Sequence, residues 1–161
     1  VAFAVAPAFA LPALEVFATS PSRLGAVYTQ PHRPAARGLK RWAPEEGMQG
    51  SVVFIGSISS QGNRGQISYA STKAGLEGAA ATIMKEAGFH GVRCGLIHPG
   101  YTDTPMVRAL GEDFVAKNIL PYTQLGRLIR PEEIADAICF MLANSAVSGE
   151  LWADAGWHAP A

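Results

Sequence analysis

Residues 50–73 read GSVVFIGSISSQGNRGQISYASTK, and this stretch decides the fold. Val52, Val53, Phe54 and Ile55 make an apolar, largely β-branched run between Gly50-Ser51 and Gly56, the form of a short strand buried on both faces of a parallel sheet. Polar, glycine-rich sequence follows through Gln66. From 68 to 87 the residues are small or strong helix formers, so a helix of about five turns is predicted, weakened locally by Gly75 and Gly78. Small residues repeated along it predict close approach of a second backbone, either the sheet's or another copy's.

Working outward, residues 92–97 (VRCGLI) form a second apolar run, entered through Gly91 and stopped by His98-Pro99-Gly100. A short helix is expected over 106–117 and irregular chain over 121–130. Pro131-Glu132-Glu133 then opens a helix, with proline in its first turn and two carboxylates at the positive end of the dipole. Ile134, Ile138, Phe140, Met141 and Leu142 are its expected apolar face, and residues 149–153 (GELWA) a third strand. Strands alternating with helical crossovers indicate an α/β fold with a three-layer, Rossmann-type parallel sheet.

Residues 1–44 differ in character. The 161-residue chain is neutral, with 13 Lys+Arg against 13 Asp+Glu, but residues 1–44 sum to +4 and residues 45–161 to −4. Six of the eleven prolines fall in the first segment, which reads as irregular and poorly ordered. Its apolar start, VAFAVAPAFALPALEVFA, carries Pro7, Pro12 and Glu15, so no membrane span is expected. The neutral total argues against a strongly basic nucleic-acid binder. Cys94 and Cys139, 45 positions apart, make neither a disulfide framework nor a metal-ligand pattern, so a reduced, cytoplasmic protein without a metal is expected. Both are expected to be buried.

The chemistry centres on Tyr69 and Lys73, four residues apart and therefore on one helix face. An ammonium beside a phenol favours the phenolate, which suits proton transfer near neutral pH. Ser57, just past the first strand, stands where α/β sheets place ligands and could hold a substrate carbonyl or alkoxide oxygen. Tyr-x-x-x-Lys alone is a weak motif. Its place in the order strand, Gly-Ser, glycine-rich loop, helix, strand, Pro-Gly, Thr-x-Thr makes it specific.

In that order, GSVVFIGSISS, GNRGQISYASTKAGLEG, VRCGLIHPGYTDTPM, GRLIRPEEIADAICFML and SGELWADAGW resemble the C-terminal half of a short-chain dehydrogenase/reductase, most of all its 3-oxoacyl-carrier-protein reductase-like branch. The resemblance implies hydride transfer between NAD(H) or NADP(H) and a small alcohol or carbonyl substrate. It makes Tyr69 the acid/base and Lys73 the residue that lowers its pKa and binds the nicotinamide ribose. Ser57 orients the substrate oxygen, with Ser59 or Ser60 as the alternative because the interval to Tyr69 is one residue short. Pro99, Gly100, Thr102 and Thr104 fall at the nicotinamide contacts. A homo-oligomer through the helix over 68–87 is expected.

Two departures stand out. The Asp-Gly-Gly of many members is Asp154-Ala155-Gly156 here, and residues 1–49 contain no glycine-rich dinucleotide motif and no counterpart of the family's catalytic asparagine. Residues 45–161 therefore read as the C-terminal part of the domain, and residues 1–44 as a stretch foreign to it, such as an out-of-frame join. The alternative function is an inactive fragment that acts at most as an oligomerisation module. His98 reads as a structural histidine beside the site.

Overall fold

The computed structural model describes residues 16–19 and 50–157. The expectations for residues 1–15 and 20–49 lie outside them. Among the described residues, four strands form one sheet in the order β1-β2-β3-β4: β1 (Val16–Thr19), β2 (Gly50–Ile55), β3 (Val92–Pro99) and β4 (Gly149–Ala153). β2, β3 and β4 run parallel, in the register Val52↔Cys94 and Ile97↔Leu151. α1 (Ile67–Ala87) crosses from β2 to β3, and α4 (Pro131–Ala143) lies between β3 and β4.

The pleat sends alternate residues to opposite faces. Val52, Phe54, Cys94 and Leu96 pack beneath Leu76, Ala80, Ile83 and Ala87 of α1, while Val53 and Ile97 meet Ile138 and Met141 of α4. Helix, sheet and helix are thus three layers, and the parallel α/β expectation holds. Each large aliphatic side chain buried this way contributes about 1.5–3 kcal/mol. Arg93, on the α4 face of β3, directs its guanidinium to the carbonyls of Met141, Leu142 and Val147. A cation there complements the negative end of the α4 dipole and ties that helix to the sheet.

Local chemistry sets the boundaries. α1 runs through Ala87 into a 3-10 turn (Gly88–His90), and Gly91, at φ 66°, ends it with a left-handed residue before β3 starts. α4 starts at Pro131, and the Glu133 side chain accepts from the Arg130 backbone N–H at 2.8 Å. Arg127 and Arg130 pair with the same carboxylate, which holds its pKa down at about 2.

Four expectations need correction. Residues 16–19, inside the segment read as irregular, form β1, antiparallel to β2; unlike the stretch before it, this piece has no proline, so each residue can donate to a ladder. The helix expected over 106–117 is two, α2 (Pro105–Arg108) and α3 (Glu112–Asn118), because Gly111 adopts φ 90°, outside the helical region. Cys139 and Phe140 are exposed, since they lie off the stripe through Ile134, Ile138 and Met141. Gly75 and Gly78 face open space and do not admit the sheet.

The two thiols therefore differ sharply. Burial pushes the Cys94 thiol up to about 12, so it stays protonated and shielded at neutral pH, whereas Cys139 is open to solvent. An aromatic disulfide reagent should titrate one thiol in the native protein and two in denaturant; two fast native thiols would contradict the buried position of Cys94.

Candidate functional site

The β2–β3 ladder continues one residue beyond the strand, where the Gly56 N–H donates to Ile97 O at 2.7 Å. A Cβ at Gly56 would lie 2.7 Å from His98 Nδ1 and 3.1 Å from Ile97 O, so only glycine fits. Ser57 follows at once, largely buried, as the N-cap of a 3-10 turn over Ile58–Gln61. Its Oγ accepts from the Ser59 backbone N–H at 3.1 Å. That bond fixes the side chain and leaves the hydroxyl proton as the group that can donate to a substrate oxygen.

Lys73 lies on the buried face of α1, 5% exposed. Burial on this scale demands a partner for an ammonium. Nζ donates to Ile55 O at 2.8 Å and stands 5.7 Å from the centroid of the Tyr69 ring. The Ile55 carbonyl belongs to the last residue of β2, two before Ser57, so one backbone segment positions the lysine and the serine together. Tyr69 is half-buried one turn earlier on α1. The structure thus gathers Ser57, Tyr69 and Lys73 around the C-terminal end of β2, the end at which parallel sheets bind ligands.

Pro99 and Gly100 form the neighbouring rim at the end of β3. A Cβ on Gly100 would fall 2.8 Å from the Asp154 backbone, and Gly100 N–H donates to Ala153 O at 3.0 Å. Thr102 Oγ1 donates to Gly100 O at 3.1 Å, and Thr104 caps α2 by accepting from the Val107 N–H at 3.5 Å. These two hydroxyls shape the loop in this structure. Asp103 N–H donates to Ile129 O and Ile129 N–H to Tyr101 O, at 2.8 and 3.0 Å, a bridge that holds the loop against residues 126–130.

The alternative serines take other roles. Ser59 Oγ is engaged by Asn63 and Gln66 within the loop, and Ser60 Oγ lies 3.3 Å from His98 Nδ1. His98 is wholly buried, with Nδ1 3.1 Å from Ser57 O and its ring stacked on Trp152 at 4.0 Å. No local pattern signals this stacking: Trp152 stands 54 positions away and meets His98 only through the β3–β4 register. Tyr101, edge-on to Trp157 at 4.8 Å, is likewise placed by packing, and burial raises its pKa against an opposing Asn63 hydrogen bond.

Residues 8–158 match the family model described as Enoyl-(Acyl carrier protein) reductase. The chain belongs to the short-chain dehydrogenase/reductase family, in its 3-oxoacyl-carrier-protein reductase-like branch. It is 41% identical over 115 residues to an acetoacetyl-CoA reductase of Synechocystis, which covers 68% of this chain and 47% of the relative. The crystal structure of a 3-hydroxyacyl-CoA dehydrogenase type-2 from Mycobacterium avium superposes with a TM-score of 0.67 at 28% identity, over 77% of this chain and 49% of the other. A blue fluorescent protein from a metagenomic library, solved with NADPH, gives 0.62 at 27% identity, over 68% and 46%. The chain spans about half the length of these relatives, or less. Among the described residues, no helix is long and apolar enough to cross a membrane.

The departure at Ala155 has a measurable cost. Ala155 has φ 58°, the left-handed region, while the Asp154 carboxylate accepts from the Gly156 N–H at 3.0 Å and Ala155 O from Gln124 N–H at 3.0 Å. A non-glycine residue there costs about 1–2 kcal/mol, and glycine returns about 0.4–1 kcal/mol of unfolded-chain entropy. Ala155→Gly should therefore stabilise the fold by about 0.5–1 kcal/mol, read as a higher urea midpoint. A lower midpoint would show that residue 155 is not held left-handed.

Proposed function

We propose that this chain carries the proton-transfer side of an NAD(P)-dependent alcohol/carbonyl oxidoreductase, with a 3-oxoacyl thioester as the carbonyl substrate. The observation that carries the reading is Lys73: a buried ammonium anchored on Ile55 O and aimed across the Tyr69 ring. The substrate class follows the printed name of the acetoacetyl-CoA relative.

Tyr69 gives its phenolic proton to the carbonyl oxygen in reduction and takes it back in oxidation. Lys73 holds a positive charge beside the ring and so stabilises the phenolate that remains. Ser57 donates its hydroxyl proton to the same oxygen and offsets the negative charge that develops there. The residues present fit the nicotinamide-ribose end of a dinucleotide: Lys73 would meet the ribose, and Pro99, Gly100, Thr102 and Thr104 would border the carboxamide. When bound, the cofactor supplies or accepts the hydride. The two free cysteines suit a reducing cytoplasm.

The test is NADPH oxidation with acetoacetyl-CoA, alongside NADPH binding by fluorescence. Tyr69→Phe should lower turnover about 10²–10⁴-fold while binding is retained. No NADPH or NADH binding at millimolar concentration would remove the enzyme reading for this chain.

A second reading, an association module without catalysis, is favoured by α1, whose outward side exposes Ile67 and leaves open space at Gly75 and Gly78. It places a second copy of the chain against that face. Sedimentation should then show a concentration-dependent dimer that Gly78→Leu weakens. A monomer at every concentration would exclude it.

A further inference from the structure

We infer that Glu77, His98 and Glu150 form a binding site for a first-row divalent transition metal of the zinc type. Each comes from a different element: Glu77 from α1, His98 from β3 and Glu150 from β4. One ligand atom from each lies within 4.8 Å of the other two, and His98 Nε2 is 3.6 Å from Glu150 Oε2.

The protonation of the imidazole follows from its other nitrogen. Nδ1 faces Ser57 O at 3.1 Å, and a carbonyl only accepts, so Nδ1 carries a proton and donates it there, with Ser60 Oγ alongside at 3.3 Å. In the neutral ring, Nε2 then presents a lone pair. Opposite it stand two carboxylates, which also only accept. His98 is wholly buried, and both His98 Nε2 and Glu77 Oε1 are buried without a hydrogen-bond partner. Buried polar atoms left this way are costly, and three converging lone pairs repel one another until a cation lies between them.

A proton on Nε2 would satisfy one contact. A divalent cation satisfies all three. The donor set selects the metal: imidazole with carboxylates suits zinc and its neighbours, whereas calcium and magnesium favour all-oxygen shells. Zinc bonds of about 2.0–2.2 Å in a tetrahedron put ligand atoms about 3.3–3.5 Å apart. The His98–Glu150 separation is near that already, and the part-exposed Glu150 side chain has freedom to close the rest. The outer contacts match those of a metal-bound histidine, with Nδ1–H held by a backbone carbonyl and the ring plane fixed by Trp152. The metal would brace the edge strand β4 against β3 and α1. With intervals of 21 and 52 positions between the three residues, no spacing motif signals the site, which is why the sequence predicted no metal.

The experiment is titration of the chelator-treated full chain with Zn²⁺ by calorimetry and with Co²⁺ by visible absorption, on a Cys139→Ser background that removes the exposed thiol. One equivalent of Zn²⁺ should bind with a dissociation constant below about 10 μM, raise the Tm, and compete with Co²⁺. Glu150→Gln, at a part-exposed position that leaves packing intact, should weaken Zn²⁺ at least tenfold, and His98→Gln should abolish the stoichiometric site. If the His98 variant does not fold, Glu150→Gln and Glu77→Gln decide. Absence of stoichiometric binding, or binding unchanged in the carboxamide variants, overturns the site; so does an Nε2–H resonance of His98 that persists in saturating zinc.

Discussion

The parallel ladder between β2 and β3 is the constraint on which the rest depends. It runs past the end of β2 to the Gly56–Ile97 bond, and at that point the backbone passes so near His98 that no side chain is tolerated. This contact fixes where Ser57 leaves the sheet. It also places the Ile55 carbonyl beneath α1, where Lys73 reaches it. A shift of one residue in this register would turn Val52 and Phe54 from the α1 layer to the α4 layer and carry Ser57 away from the lysine. Core packing and site geometry are therefore one requirement.

The position of Lys73 shows how the sheet works as an electrostatic device. A buried ammonium is tolerable only if its charge is answered, and a carbonyl at a strand's end and the face of an aromatic ring both contribute here. The Ile55 carbonyl thereby ties the position of the ammonium to the register of β2.

Much of this was legible because it rests on local rules. The run Val52–Ile55, the small-residue helix and the four-residue interval between Tyr69 and Lys73 each report their own structure, and the proline at 131 marks its helix start to the residue. What was not legible depends on contacts far apart in the chain or on a backbone torsion. Cys139 and Phe140 looked like core until the helix phase set by Ile138 and Met141 turned them outward. Gly111 broke a helix that composition favoured. The surroundings of His98 come from α1, the turn after β2 and β4 at once, and no single window of sequence contains them.

The same distinction separates the residues at the strand ends from the segment that follows β3. Ser57, Lys73 and Gly100 are held by strand ends inside a continuous ladder, so their positions inherit the rigidity of the core. Residues 101–130 are held otherwise, by the Thr102–Ile129 bridge, by the buried side chains of Val115, Ile119 and Ile129, and by ion pairs on the surface, Asp103 with Arg108 and Arg127 with Glu133. Exposed pairs of this kind are screened by solvent and contribute little. Met106, Leu110 and Phe114 on this segment remain largely open to water. The elements held by the sheet were accordingly readable from local pattern, whereas residues 101–130 mix the buried Val115, Ile119 and Ile129 with side chains open to water, a mixture that no local rule predicts.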